Sequence, residues 1–278
     1  MKRIGFLGPK GTFSQEAMNV YAKENGGGEG ITYNTITELI VAVSNSEIDE
    51  AIVPIENSLE GAVSATMDML VADNNIRIVA EMVIAINQNL LVKKGTGLKD
   101  IKYVLSHPQA VGQCRKYLDS KLSNAKIKYL YSTAEAAKEV AEGGGGKAAL
   151  ASLAAASVYG LDVLERAIQD NDNNLTRFIV ISLSKAKRGK ENKTSIVFST
   201  EDKPGSLYKV LDIFSLWDIN MTRIESRPAK RKLGRYIFFV DIEGHAEDED
   251  VRDALTMVKR KTSFYKFLGS YPKFGKQF

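Results

Sequence analysis

The sequence has only one cysteine and two histidines among its 278 residues. The single thiol of Cys114 cannot form an internal disulfide or a thiolate metal site, and two histidines leave little room for a zinc centre. No apolar run approaches the roughly 20 residues of a membrane-spanning helix, and no secretory leader pattern follows Met1. We therefore expect a soluble cytoplasmic protein that does not insert in a membrane and uses neither a metal nor a cofactor.

The net charge of +4 gives no support for nucleic-acid binding once it is located along the chain. Residues 184–193 contain five basic residues and one acidic residue, which accounts for the whole net charge. A nucleic-acid surface would instead spread Lys and Arg over a face with aromatic residues among them. We interpret 184–193 as a solvated linker between a domain over 1–183 and a domain over 194–278, and we expect no nucleic-acid partner.

The segment before the linker has the pattern of an α/β domain with a largely parallel sheet. Short apolar strands alternate with helices that begin at capping boxes, namely Thr12 with Gln15, Thr35 with Glu38, and Ser132 with Glu135. A strand is predicted over Ile84–Val92. If the chain crosses to a second lobe near Ile76 and returns before Thr176, a ligand cleft forms between the lobes. Lobe one would then hold about 1–75 and 165–183, and lobe two about 76–164.

The segment after the linker has the order strand, helix, strand, strand, helix, strand. This βαββαβ order predicts a ferredoxin-like sandwich, a fold that hosts many functions and identifies none of them. The predicted strands are Thr194–Ser199, Asn220–Arg227, Arg235–Ile242 and about Tyr265–Tyr271, and the predicted helices are Ser206–Leu216 and Asp248–Thr262.

A polar loop enters an apolar strand at Asn174, followed by Leu-Thr-Arg-Phe. Thr176 offers a neutral donor, Arg177 offers a bidentate grip for a carboxylate, and Phe178 begins the apolar run. An anion-binding site and a plain strand start with a surface arginine both fit this pattern.

Three further motifs lie where strands meet helices or loops. In Gly8-Pro-Lys-Gly-Thr-Phe-Ser14, the hydroxyls at a helix start suit an anion or simple capping. Pro54-Ile-Glu-Asn-Ser58 follows a strand and would place its polar side chains at the mouth of a crevice. Ser106-His-Pro-Gln-Ala110 contains His107, which we interpret as a structural hydrogen-bonding residue more readily than as a base.

Taken together and in order, these four motifs, with Pro204-Gly205 and Glu225-Ser-Arg-Pro228 after them, closely resemble monofunctional prephenate dehydratase with a C-terminal ACT domain. The resemblance covers essentially the whole chain. It implies two lobes like those of periplasmic binding proteins with the active site between them, an ACT domain, and a homodimer or homotetramer. The implied reaction converts prephenate to phenylpyruvate, carbon dioxide and water in L-phenylalanine biosynthesis, without a cofactor.

The resemblance also implies roles for individual residues. Thr176 would hydrogen-bond or protonate the departing hydroxyl, Arg177 would help to hold a carboxylate, and Phe178 would exclude water. The implied substrate-binding residues are Thr12, Phe13, Ser14, Glu56, Asn57, Ser58, His107, Gln109, Asn174, Arg177 and Phe178.

The ACT domain of this family binds phenylalanine between subunits for feedback inhibition. The implied phenylalanine site comprises Gly205, Ser206, Leu207, Glu225, Ser226, Arg227 and Pro228. Ser206 departs from the alanine usual in the family's glycine motif, which affects the expected strength of binding and not the domain assignment.

Two other functions fit the same residues. A non-catalytic amino-acid sensor would pair a two-lobed binding domain with an ACT domain and would not need Thr176. An arogenate dehydratase would remove the same groups from the amino analogue of prephenate, and the motifs do not separate it from a prephenate dehydratase.

Overall fold

The first sheet of the protein is mixed, whereas the sequence pattern predicts a largely parallel sheet. The computed structural model describes residues 1–72, 75–229 and 236–273. Strand order in this sheet is β2 (Glu29–Tyr33), β1 (Arg3–Leu7), β3 (Glu50–Asn57), β11 (Leu175–Ser182) and β5 (Arg77–Ala85), with β4 (Gly61–Ala62) beside β3. β1 is parallel to β2 and β3, whereas β11 runs antiparallel to both of its neighbours.

Helices cover both faces of this sheet. They are α1 (Phe13–Glu24), α2 (Ile36–Ser44) and α3 (Ser64–Ala72). The side chains of successive residues in β11 lie on opposite faces of the sheet, as in any β-strand. Phe178 and Val180 pack with α1, whereas Ile179 and Ile181 pack with α2 and α3. This alternation decides where the side chains of Thr176 and Arg177 lie.

The second sheet builds lobe two. Its strand order is β10 (Asp162–Glu165), β6 (Asn89–Val92), β9 (Lys147–Ala151), β7 (Tyr103–Ser106) and β8 (Lys126–Tyr129). Its helices are α4 (Pro108–Gln113), α5 (Arg115–Lys121), α6 (Thr133–Glu142) and α7 (Leu153–Tyr159), and a short 3₁₀ turn covers Leu98–Asp100.

The crossing between the lobes lies later than predicted. The sequence pattern suggested a crossing near Ile76 and one strand over Ile84–Val92, but β5 belongs to the first sheet and β6 to the second. The chain therefore crosses between these strands, at the polar residues Asn87 and Gln88. Gln169, on the returning segment, bonds to both residues. Its Nε2 donates to Asn87 Oδ1 at 2.8 Å, and its Oε1 accepts from Gln88 N at 3.0 Å. Polar pairing of the two crossing segments replaces strand pairing there.

The three capping boxes form at the predicted positions. The side chains of Thr12, Thr35 and Ser132 accept hydrogen bonds from the backbone N–H three residues later, at 3.4, 3.1 and 3.0 Å. The reciprocal side chains bond one residue before the cap, as when Gln15 Oε1 accepts from Gly11 N at 2.6 Å. These local bonds fix where α1, α2 and α6 begin, which is why the sequence predicts them well.

The C-terminal domain is a βαββαβ sandwich. Strand order is β13 (Met221–Pro228), β14 (Tyr236–Glu243), β12 (Asn192–Ser199) and β15 (Phe264–Pro272), with α8 (Ser206–Leu216) and α9 (Glu249–Lys261) on one face. The predicted helix at 206–216 is confirmed. Arg235, the predicted start of the second central strand, lies outside the described residues.

The other face of the C-terminal sheet packs directly on the first sheet. Val197, Phe239, Leu268 and Tyr271 belong to the same buried cluster as Ile78 and the residues of α2 and α3. The predicted linker is also shorter than expected, because β12 already begins at Asn192. The two domains therefore share one hydrophobic core. No described helix is long and apolar enough to span a membrane.

The thiol of Cys114 is buried between α4 and α5. Burial, with a smaller contribution from the charge of Asp170, raises the pKa of Cys114 to about 12. At pH 7.5 fewer than about one thiol in 10⁴ is then ionised, against about one in ten for an ordinary cysteine.

We expect an aromatic disulfide reagent to react with Cys114 at least about 10³-fold more slowly in the folded protein than in denaturant. Stopped-flow absorbance measures both rates on the same sample. Comparable rates would contradict the burial of this thiol.

Candidate active site

Thr176 lies at the start of β11, directly opposite Asn57 on β3. Its parity along β11 is that of Phe178 and Val180, so its side chain lies on the face covered by α1. The residue is 8% exposed. A largely buried hydroxyl at the start of an interior strand of the sheet is well placed to meet a ligand that enters between the lobes.

The amide of Asn57 controls the Thr176 hydroxyl. The backbone N–H groups of Leu59 and Glu60 donate to Asn57 Oδ1 at 2.9 and 3.1 Å, which fixes the orientation of the amide. Asn57 Nδ2 then donates to Thr176 Oγ1 at 2.8 Å. Among the described residues, Thr176 makes no other side-chain hydrogen bond, and it is the acceptor in this one. The hydroxyl proton of Thr176 is therefore left to donate to a ligand.

Asn174 extends this pair toward lobe two. Its Oδ1 accepts from Asn57 Nδ2 at 2.8 Å, and its Nδ2 donates to Gln113 Oε1 at 3.2 Å. Gln113 ends α4 in lobe two and also accepts from Gln88 Nε2 at 3.4 Å. Gln113 is not among the site residues predicted from the sequence. It lies one helical turn after Gln109, and this i,i+4 spacing is the signal that could have suggested it.

Ser58 braces the loop before β11. Its hydroxyl donates to the carbonyl of Asn173 at 2.7 Å and accepts from Leu175 N at 3.0 Å. The cluster formed by Asn57, Ser58, Asn174 and Thr176 thus brings together four of the predicted site residues. Within it, the Ser58 hydroxyl already donates one hydrogen bond and accepts another.

The Gly8–Ser14 loop joins the two lobes. Ser152 is the N-cap residue of α7, and its hydroxyl donates to the carbonyl of Gly11 at 2.7 Å. The Tyr159 hydroxyl donates to the carbonyl of Lys10 at 3.0 Å. Gly11 has a φ of +87°, and an added Cβ would lie 3.0 Å from the Cα of Ala155. The glycine is therefore required by the close approach of the lobes.

The predicted residues at the start of α1 differ in the hydrogen bonds that they already make. Thr12 Oγ1 donates to the carbonyl of Leu7 at 3.0 Å and caps the helix, so capping describes it well. The first two helical residues, Phe13 and Ser14, keep backbone N–H groups that no helix can satisfy internally. Among the described residues none forms a hydrogen bond with the Ser14 hydroxyl, and α1 covers the same face as Thr176.

His107 and Gln109 lie at the start of α4. His107 Nδ1 accepts from Gln109 N at 3.3 Å, so the imidazole caps the helix. The described hydrogen bonds do not join either side chain to the Thr176 cluster. The structural interpretation of His107 accounts for its contacts.

The hydrogen bonds of the Thr176 cluster do not include the side chains of Arg177 and Glu56, although these two residues line one cavity of about 340 Å³ with Asn57 and Ser58. Both side chains lie on the opposite face of the sheet, toward the C-terminal domain. Arg177 Nε lies 3.0 Å from Glu56 Oε1, Nη1 3.1 Å from Glu81 Oε2, and Nη2 2.8 Å from Asp241 Oδ2 of β14. Burial alone lowers the pKa of Arg177, but Asp241, Tyr271 and the two glutamates outweigh it, so the pKa is raised.

Phe178 is a core residue rather than a lid over the ligand. It is 2% exposed and packs with Ile4, Phe6 and Met82 beneath α1. Its position in β11, two residues after Thr176, anchors the strand, and water exclusion by this ring stays a prediction.

The predicted phenylalanine-binding residues divide between the two faces of the C-terminal sheet. Ser226 is opposite Phe238 on the helix-covered face, where Gly205, Ser206 and Leu207 line a cavity of about 300 Å³ with Tyr208, Tyr236 and Phe238. Glu225 and Arg227 lie on the other face, and Arg227 Nη2 is 3.2 Å from Asp68 of α3. Pro228, the last residue of β13, is exposed.

Comparison with known proteins agrees with this architecture. Residues 4–186 match the family described as Prephenate dehydratase, and residues 194–256 match the ACT domain. A prephenate dehydratase of Methanocaldococcus jannaschii is 41% identical over 279 residues, which cover 98% of this chain and 99% of that protein.

Solved structures give the same result for the fold. A prephenate dehydratase of Arthrobacter aurescens in complex with L-Phe is 37% identical, with a TM-score of 0.88 over 99% of this chain and 91% of that chain. GqqA, described as a novel type of quorum quenching acylases, is 29% identical, with a TM-score of 0.89 over 99% of both chains. Because a shared fold does not fix an activity, the chemistry has to be argued from the site.

The fold and the site define a two-lobed α/β protein with a polar cluster where the lobes meet and a ferredoxin-like C-terminal domain. The family matches cover both parts of the chain at these boundaries. The chain belongs to the prephenate dehydratase family, whose members are hydro-lyases, and it carries an ACT domain.

Proposed function

We propose that the protein converts prephenate to phenylpyruvate, carbon dioxide and water, and that L-phenylalanine inhibits it through the ACT domain. The observation that carries the first part is the fixed amide of Asn57, which donates to Thr176 Oγ1 and leaves the threonine proton for a leaving hydroxyl. The family match and the relative at 41% identity support the same activity.

The reaction needs positioning more than a strong acid. When the ring carboxylate leaves as carbon dioxide, its bonding electrons complete the aromatic ring and expel hydroxide. Thr176 donates its hydrogen bond to that oxygen as negative charge develops on it, and the donor from Asn57 makes the threonine hydroxyl a better donor in turn. A proton from solvent converts the departing hydroxide to water, so prephenate dianion and one proton give phenylpyruvate anion, carbon dioxide and water.

A carboxylate of prephenate is held at the start of α1 in this proposal. The free N–H groups of Phe13 and Ser14, the Ser14 hydroxyl and the positive end of the helix favour an anion there. Arg177 is not assigned to this task, because its three nitrogens already contact three carboxylates.

The decisive test measures phenylpyruvate formation from purified prephenate, and keto-acid absorbance in alkali detects the product. Turnover of prephenate is expected. Turnover of arogenate alone would show that the protein is an arogenate dehydratase and would overturn the proposal. Binding of phenylalanine without turnover of either compound would favour a sensor.

Phenylalanine is proposed to bind beside Gly205 in a homodimer or homotetramer located in the cytoplasm. Gly205 has a φ of +76°, and an added Cβ would enter open space. We expect Gly205→Ala to raise the phenylalanine concentration for half-inhibition at least tenfold with kcat little changed, because the methyl group takes ligand space. Gly95→Ala is the matched control, with a φ of +82° and equally open surroundings. Equal inhibition of both variants would contradict this location.

A further inference from the structure

Six charged side chains form a compact network between the ACT domain and lobe one. Arg177 contacts Glu56, Glu81 and Asp241, while Lys193 Nζ lies 2.7 Å from Glu81 Oε1 and Arg223 Nε lies 2.6 Å from Glu56 Oε2. Three positive charges therefore face three negative charges. Arg177 is at the centre, and Asp241, Lys193 and Arg223 come from the C-terminal domain.

Asp241 is itself held in a defined position. Its Oδ1 accepts from Ser195 Oγ at 2.6 Å, and Ser195 Oγ lies 2.7 Å from the hydroxyl of Tyr271. Asp241 is 4% exposed. Its other oxygen, Oδ2, lies 2.8 Å from Arg177 Nη2 as an ion pair without hydrogen-bond geometry, so a carboxylate of fixed position attracts the guanidinium electrostatically.

The network lies back to back with the Thr176 cluster. Strand register pairs Arg177 with Glu56 and Thr176 with Asn57, so the ion pair and the hydrogen bond link the same two neighbouring positions of β11 and β3 on opposite faces. The ladder shifts register immediately after Arg177, opposite Pro54, which cannot donate a ladder hydrogen bond. Regular pairing of the two strands is therefore interrupted next to the ion pair of Arg177 with Glu56.

We propose that Arg177 and Asp241 are positioning residues for the dehydration reaction, so that the ACT domain supplies part of the geometry of an active site that it does not touch. Asp241 orients Arg177, Arg177 clamps Glu56 on β3, and the clamp sets the distance between Asn57 and Thr176. The kinetic test of this inference rests on the proposed function, whereas its hydrogen-exchange test does not.

Kinetics separate positioning from substrate binding. We expect Asp241→Asn and Arg177→Gln each to lower kcat about tenfold while KM for prephenate stays within about threefold, and the double variant to be no worse than the poorer single variant. Arg177→Lys should recover part of kcat. If Arg177 gripped a substrate carboxylate, Arg177→Gln would raise KM by about 10² and Asp241→Asn would leave kcat unchanged, a result that overturns the proposal.

Hydrogen exchange tests the positioning without any turnover. In Asp241→Asn we expect the amides of 175–177 to exchange at least about tenfold faster than in the parent protein. Arg188→Gln is the matched control, since the described ion pair of Arg188 is with Asp248 at the surface of the C-terminal domain. Unchanged exchange in Asp241→Asn, or equal acceleration in Arg188→Gln, would refute the clamp. Parent turnover of prephenate in the same study reports separately on the proposed function.

Discussion

Thr176→Ala is expected to lower kcat for prephenate by about 10² or more, with a smaller change in KM. The hydroxyl makes its contribution when the leaving oxygen gains charge, which is a feature of the transition state and not of bound prephenate. Its loss removes a donor from a site that excludes most water, where replacement by solvent is poor. A factor of 10² corresponds to about 2.7 kcal/mol of transition-state stabilisation.

Two companion variants make this measurement specific. Thr176→Ser keeps a hydroxyl beside Asn57 and should retain kcat to within about tenfold. Thr35→Ala removes a hydroxyl of the same lobe that caps α2 through Glu38 N, so it costs about 1 kcal/mol of stability but should not change kcat. Full activity of Thr176→Ala in steady-state assays would exclude the assigned role.

The start of the protein's helices could be predicted from the sequence because capping is local. Thr12, Thr35 and Ser132 each bond within three residues, so nothing outside the motif is needed to place them. The crossing between the lobes could not be placed in this way. Ile84–Val92 was predicted as one strand because apolar residues flank its polar centre, and the pairing of Asn87 and Gln88 with a residue some 80 positions away is not visible in the local sequence.

The candidate site was predicted in part. Asn57, Asn174 and Thr176 were identified from motifs, and they do lie together. Arg177 was assigned to the same ligand although alternation along a strand already places neighbouring side chains on opposite faces. What the sequence could not supply was the occupant of the opposite face, because packing of the C-terminal sheet on lobe one involves residues more than 60 positions apart.

The ACT domain and lobe one meet at Gly269, and a substitution there should have the largest effect on stability. Gly269 has a φ of +146°, and an added Cβ would lie 2.3 Å from the carbonyl oxygen and 3.1 Å from the nitrogen of Ile78 on β5. Backbone atoms cannot rotate away as a side chain can. In Gly269→Ala, β15 must therefore move off β5, and the core shared by Tyr271, Leu268 and lobe one must open.

We expect Gly269→Ala to lower the free energy of unfolding by about 2 to 5 kcal/mol, from backbone strain and overpacking together. It should also turn a single unfolding transition into two, because domains that share a core unfold together only while that core is intact. Denaturant unfolding followed by tryptophan fluorescence of Trp217 and by far-UV circular dichroism detects both effects.

Gly95→Ala provides the comparison, since a methyl group at a φ of +82° there meets no atom within 4 Å. It carries the backbone cost of a left-handed alanine without a contact between domains, so about 1 kcal/mol and one transition are expected. If Gly269→Ala matched this control, the tight approach of β15 to β5 would be wrong. The path from Asp241 to Thr176 would then lose its support, because Asp241 reaches Arg177 only while the two sheets remain packed.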